Sequence, residues 1–541
     1  MKIKFSILTL GFCWSMAACN DAFLERYPLD QINDASFWNG PSDVQMFANQ
    51  FYTSLRDPHY NWMKDDGTDN NVPGTRNVYA WNEYTLPASG GGWAKGDWLN
   101  IRNCNFALDK IEQMTPSAEL STYEAEIRFF KANEYFKKVK RFGDVPWFDK
   151  PLNVDSDELQ KPRDSRVVVI DNVLKELDFA IQNLPEASPA DRLTKYAALA
   201  LKVDVALYEG TFRKYHGLGD YERLLREAAN ASEEIINSGR FSVFSTGKPE
   251  SDYFDLFVQY ELQGNPEGIM VQRFLEAKRM HNNVRQLGEP HTGYSKDFVE
   301  SYLCTDGLPI ALSPLYKGDA EFGDEFVNRD PRMHQSIYNK GRVYRIYEDG
   351  SVEYRPMPEF DNNYVTTSYY ILKGYSPYER DRLQNQCVID DFIFRYGEVL
   401  VSYAEAKAEL GEITQEVLDK SVNQLRNRVG MPPMKAEVGF TDPNWPNWEV
   451  PVSPIINEIR RERRIELAGE GKRWDDLVRW KAGKLLENPK TYRGARDPAT
   501  GDYRIIYPGF TRKWSDRQYL YPIPTQELAL NPSLTQNPGW Q

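Results

Sequence analysis

The chain has 541 residues, a net charge of −13 and 41% hydrophobic residues, enough apolar material for large buried cores and not the makeup of a disordered chain. The acidic balance excludes a nucleic-acid or anionic-lipid binder held by bulk charge, and five cysteines in so long a chain exclude a disulfide-stapled mini-domain. Aromatics are in excess of ordinary core needs, with 32 Tyr, 27 Phe and 13 Trp.

In chain order, Lys2 and Lys4 precede an apolar run from Phe5 to Trp14. That run is long enough for a secretory leader and too short to span a bilayer. Met16-Ala17-Ala18-Cys19 then sets small residues ahead of a cysteine, a pattern that resembles the lipobox of bacterial lipoproteins. It predicts a signal peptide over 1–18 and lipidation of Cys19, whose acyl chains would hold the protein at a membrane without a spanning helix. No later segment approaches 18 uninterrupted apolar residues. Cys104, Cys304 and Cys387 show no metal or disulfide spacing and read as buried small apolar residues.

Apolar stripes at helical spacing follow. Trp98, Ile101, Cys104, Leu108 and Ile111 make the first; Phe129, Ala132, Phe136 and Val139 make the second, which stops at Gly143. Ile170 to Leu184 forms a third, ending at Pro185, and Leu199, Val203 and Ala206 a fourth, expected to stop at Gly210. A fifth helix is predicted over 222–238, closed by Gly239. The spacing suggests helix pairs of the tetratricopeptide kind without the strict repeat signature. From 241 to 391 Gly, Pro, Asn and Asp are frequent and no stripe persists, which predicts long loops with a few short strands. Helices return over 399–410, 417–429 and 454–482.

Several segments resemble the SusD/RagB family of Bacteroidetes outer-membrane lipoproteins. Phe23-Leu24-Glu25, Pro28-Leu29-Asp30 and Phe37-Trp38 match the mature start of that family. Ile127-Arg128-Phe129-Phe130 through Phe142-Gly143-Asp144-Val145-Pro146 and Thr194-Lys195-Tyr196-Ala197 to Leu207-Tyr208-Glu209-Gly210 match two of its helices. Most specific is Glu458 to Leu467 running into Gly471-Lys472-Arg473-Trp474-Asp475-Asp476-Leu477. The tail agrees in Tyr521-Pro522-Ile523-Pro524 and Gln536-Asn537-Pro538-Gly539-Trp540.

The resemblance implies a mainly α scaffold with tetratricopeptide-like pairs and an irregular excursion. It also implies a non-catalytic receptor on the outside of the outer membrane, which passes oligosaccharide to a SusC-like TonB-dependent transporter. A single domain over 19–541 is expected, with parts 19–240, 241–391 and 392–541. The same scaffold binding peptide or another nutrient is the first alternative, and a surface glycosidase the second.

Sugar recognition needs flat aromatic faces with amides and charged groups beside them. Trp62, Trp81 and Trp93 lie in polar, Gly-rich sequence, with Asn82 and Tyr84 next to Trp81, and make the first candidate set; pinning of the loop to the scaffold is the alternative. Trp98 belongs to a stripe and reads as core. Asn282, Asn283, Arg285, His291 and Tyr294 make the second set. Tyr344, Tyr347 and Tyr354 fit a solvent-edge hairpin at least as well as a site.

Asp65, Asp66, Asp69 and Asn70 admit a structural Ca²⁺, but the EF-hand spacing is absent and exposed loop carboxylates are the expectation. The Arg/Glu run over 458–473 reads as structural, its charges pairing three and four apart along the helix. The five histidines show no metal spacing, and there is no nucleophile elbow or Walker loop. No catalytic residue, metal ligand or nucleic-acid partner is expected.

Overall fold

Local chemistry sets the helix boundaries. Ser117, Ser165, Thr194 and Ser453 each cap an N-terminus by accepting a backbone N–H. They open α3, α4, α5 and α8 of the computed structural model, which describes residues 37–55, 62–188, 191–360 and 364–540. The leader and Cys19 lie outside the described residues. The principal helices are α1 Pro41–Ala48, α2 Leu99–Ile111, α3 Ala118–Phe142, α4 Arg166–Asn183, α5 Lys195–His216, α6 Tyr221–Asn237, α7 Tyr396–Glu409, α8 Pro454–Glu466 and α9 Arg473–Arg479. None of the described helices is long and apolar enough to cross a membrane.

Neighbouring helices pack in sequence, α2 on α3, α3 on α4, α4 on α5 and α5 on α6, and α7 returns to pack on α6 and α8. Their stripes meet in one core that includes Phe129, Phe130, Val139, Ile170, Leu177, Leu199 and Val203. Each such side chain contributes about 1.5–3 kcal/mol on leaving water. The three cysteines expected inside are buried.

Three helix ends differ from the sequence expectation. Gly210 does not stop its helix: α5 runs through it to His216 and closes on left-handed Gly217. A Cβ at Gly210 would lie 3.0 Å from the Leu225 side chain, so this glycine serves the close approach of α5 to α6. The 454–482 helix is two, α8 and α9, because Gly469 and Gly471 turn at positive φ and the Gly469 N–H donates to Asp65. The 417–429 helix likewise divides into Gln415–Asp419 and Val422–Arg428, with Ser421 leaving helical geometry between them.

The excursion carries little regular structure. Among the described residues there are three two-stranded antiparallel ladders, β1 (Gly268–Gln272) with β4 (Asp391–Arg395), β2 (Arg345–Ile346) with β3 (Val352–Glu353), and β5 (Arg493–Arg496) with β6 (Tyr503–Ile505). A second core under the excursion holds Val284, Tyr294, Phe298, Tyr302, Met333, Ile337 and Tyr369. Helix α8 joins the two cores, with Ile456 and Ile459 in the first and Ile465 in the second.

Between the cores runs a buried charged seam. Glu466 accepts from Arg428 (2.8 Å), Arg395 (2.9 Å) and Arg332 (3.2 Å), and Glu462 from Arg332 and Arg426. Burial opposes ionisation of Glu466, yet Arg428, Arg395 and Arg332 together hold its carboxyl down at about 2. The structural reading of the Arg/Glu run therefore stands with a different geometry. Apart from Arg461 with Glu458, the α8 charges named here pair with other elements and not along the helix, because the helix is enclosed.

Candidate functional site

The site is assembled from three loops far apart in sequence. Residues 71–74 run antiparallel to 291–294: Asn71 bridges Tyr294, the Val72 N–H donates to the Gly293 carbonyl (2.8 Å) and the Gly74 N–H to the His291 carbonyl (2.8 Å). Gly293 permits this, since a Cβ there would lie 2.2 Å from Thr367 Oγ1. The Thr292 hydroxyl donates to Asp66 (2.8 Å) and the Thr366 hydroxyl to the Val72 carbonyl. From the far end of the chain, the Tyr507 hydroxyl donates to the Pro73 carbonyl. The first candidate loop and the second candidate run are thus side by side.

Polar groups behind this strip are interior. Asp65, Asp69, Asn70 and Asn71 are all buried, which corrects the expectation of exposed loop carboxylates. Arg473 donates to Asp69 at 2.7 and 2.8 Å, and Arg464 lies beside it. Burial opposes the Asp69 charge, but these two guanidiniums hold it well below the usual carboxylate range. Burial pushes Asp65 up to about 6 and Asp66 up to about 7. Guanidinium, amide and hydroxyl donors occupy most of these oxygens, Asp65 Oδ1 being buried without a hydrogen bond, and no group of three or more His, Cys, Asp or Glu able to hold a metal ion occurs among the described residues.

On the outer side of the strip the chain presents aromatic rings. The Arg76 guanidinium lies 3.5 Å from the centroid of Phe510, which is half exposed, and pairs with Glu83 at 3.0 Å. On the other flank the rings of His291 and Tyr364 stand 5.5 Å apart, both exposed. Trp81 is the floor, buried between Tyr492 (5.3 Å) and Tyr507 (5.1 Å). Buried Arg512 donates to the Ala80 carbonyl (3.1 Å) and braces it. Burial pulls the Arg512 guanidinium down to about 10. Such a face offers ring surfaces for sugar C–H groups and a guanidinium, carboxylate and imidazole for hydroxyls.

The other predicted residues have different places. Trp62 is buried, its indole N–H donating to Asn283 (2.9 Å). Trp93 is core, wedged between Trp98 (5.2 Å) and Phe142 (4.8 Å), while Trp98 packs on the core with part of its surface open. Asn82, at positive φ, accepts from Arg517 (2.9 Å), and Tyr84 packs on Tyr79 and Trp540. Both tie the first loop to the C-terminal tail.

Tyr294 is fully buried. Asn282 accepts from the Asn385 N–H (3.2 Å) and Arg285 is exposed on the short helix Asn283–Gly288. Tyr344 is buried, Tyr347 donates to Glu353 across the β2–β3 hairpin and Tyr354 is exposed. So Trp62, Trp81, Trp93 and Tyr294 are structural aromatics, withdrawn from solvent by the packing around them. Sequence reading missed Arg76, Tyr364 and Phe510; a ring placed directly after the Pro508-Gly509 turn was the available signal.

Comparison with known proteins gives a consistent set of matches. The pattern of the SusD family matches residues 256–540, and one described as starch-binding, associating with outer membrane, matches 29–207. SusD-like protein P38 of Formosa agariphila is 27% identical over 96% of this chain and 98% of its own length. A crystal structure of a SusD-like protein from Bacteroides fragilis superposes with a TM-score of 0.74 at 25% identity, covering 95% of this chain and all of that one. A SusD-like carbohydrate-binding protein from the same species gives 0.70 at 22% identity, over 92% of this chain and all of its own.

Proposed function

Because the chain belongs to the SusD family, we propose that it is a lipid-anchored receptor of the outer-membrane surface that captures an oligosaccharide and catalyses no reaction. Cys19 is the anchor in this reading, residues 19–541 form one domain, and a SusC-like TonB-dependent transporter receives the ligand. The observation that carries the ligand class is the face bearing Phe510, Tyr364, Arg76, Glu83 and His291. It pairs exposed rings with hydroxyl-binding groups, in a chain similar to a protein called carbohydrate-binding. Glu83 turns its charge into Arg76 and not toward an opposing acid, which speaks against a glycosidase pair. An open face buries little of a ligand, so affinity without the transporter should be modest.

The test is calorimetry of the purified protein against a panel of starch, β-glucan and xyloglucan oligosaccharides, with reducing-end product assayed in parallel. Binding without product is the expected result and names the sugar class. Product release would replace the receptor by an enzyme. Binding of peptides in place of sugars would move the scaffold to the other nutrient class.

A further inference from the structure

A large cavity lies away from that face. It is a cleft of about 790 Å³ between α8 and the loop Asp442–Glu449, closed at one end by residues 484–490. This volume lies inside the roughly 300–1,000 Å³ range of small-molecule sites. One wall is a single face of α8, Asn457, Arg460, Arg461 and Arg464, the i, i+3, i+4, i+7 stripe of a helix. The other wall carries Asn444, Trp445 and Asn447.

Charge decides what such a cleft admits. Six acidic and six basic side chains line it, and the basic ones are paired. Arg461 binds Asp442, Arg464 binds Asp297 (2.8 Å), Arg473 binds Asp69 (2.7 Å) and Lys490 binds Glu300. Lys484 faces Glu449 at 3.4 Å and Arg460 reaches Glu409 at 3.2 Å. With no net formal charge and its cations paired, the cleft does not favour a phosphate or a polycation.

Arg460 keeps two guanidinium nitrogens without a hydrogen bond, but they are buried against the Trp448 and Trp480 rings, and the unpaired groups open to solvent are neutral. Asn444 and Asn447 are exposed, and neither side-chain amide has a hydrogen bond among the described residues. Between them Trp445 is partly exposed, its indole N–H donating to Glu458 (2.7 Å), so the ring is held in place. A locked indole flanked by two planar amides matches an uncharged polyol, stacking with its C–H face and donating to its hydroxyls.

We propose that this cleft is a second saccharide-binding site, for a segment of neutral oligosaccharide, separate from the open aromatic face. The proposal rests on the receptor reading above and adds a site to it. Its test is hydrogen–deuterium exchange of the purified protein with maltoheptaose, laminarihexaose, a xyloglucan oligosaccharide and an oligogalacturonate. The expected result is protection of 442–449 and 484–490 by at least one neutral probe. Trp445→Ala should weaken that protection about tenfold in affinity and Asn447→Ala about threefold, while Phe510→Ala leaves it intact.

Protection confined to 73–83 and 504–512 would overturn the second site and leave the receptor standing. Protection of the cleft by oligogalacturonate alone, or unchanged by both cleft variants, would overturn it as well. No protection at either place would remove both proposals.

Discussion

The charged seam behind α8 and the open aromatic face are built from the same residue types, and they differ in how many partners each charge has. In the seam Arg395 donates to Glu267, Glu466 and Glu470 and is 1% exposed. On the face Arg76 has one carboxylate partner, Glu83, lies near the rings of Phe510 and Trp81, and keeps part of its surface open. Arginine and aromatic residues are thus structural where enclosing elements saturate them and available where a loop tip leaves them half covered. Residue type alone does not separate the two cases.

The largest effect should come from the seam. Glu466→Ala leaves Arg332, Arg395 and Arg428 facing one another without their shared carboxylate, and should cost about 3–5 kcal/mol in chemical denaturation. A loss below about 1 kcal/mol would mean that the seam behaves like a surface and the contrast fails. Next is Trp81→Ala, which empties the space between Tyr492 and Tyr507 and should cost about 3 kcal/mol. Its effect on binding is therefore inseparable from stability.

Phe510→Ala sharpens the contrast from the other side. It should leave stability within about 0.5 kcal/mol and weaken oligosaccharide binding about tenfold by calorimetry. Equal loss of stability in the Trp81 and Phe510 variants would erase the distinction between floor and presented ring.

The smallest effect concerns pH. Burial lifts Asp66 to about 7 and Asp65 to about 6, so the folded chain holds these protons more tightly than the unfolded one. That contribution is complete below about pH 4 and is lost as pH rises through 6 and 7. Amides of Val72 and Gly74 should accordingly be better protected at about pH 5.5 than at about pH 7.5, after correction for intrinsic exchange, and Asp66→Asn should flatten the difference. Identical protection in the two buffers would show that the strip does not sense the carboxyl behind it.

The helical half of the fold was legible because its signal is local. Ile170, Leu177 and Leu199 lie on 3.6-residue stripes that any buried helix requires, and their caps stand in the same stretch of sequence. Gly210 and the 454–482 run misled because a glycine inside a helix and a glycine ending one look alike until the packing partner, Leu225, or the competing acceptor, Asp65, is known. For the site, loop tryptophans drew attention as rings without a helix to explain them. Trp81 is covered by Tyr492 and Tyr507, and Tyr84 by Trp540, more than 400 residues downstream in numbering. Phe510 is presented because Arg76 covers only part of it and half its surface stays open, and no local pattern encodes that.

The strip over 71–74 has a consequence for how the protein comes into being. It leans on Thr292, 226 residues beyond Asp66, and on Tyr507, 434 residues beyond Pro73. Contacts this distant form after local ones in folding, since long loops must close first. The face can therefore exist only once the chain has been translated through Tyr507 and that segment has docked on Pro73. A chain cut short before Tyr507 would carry its helices and still lack the face they were built to hold.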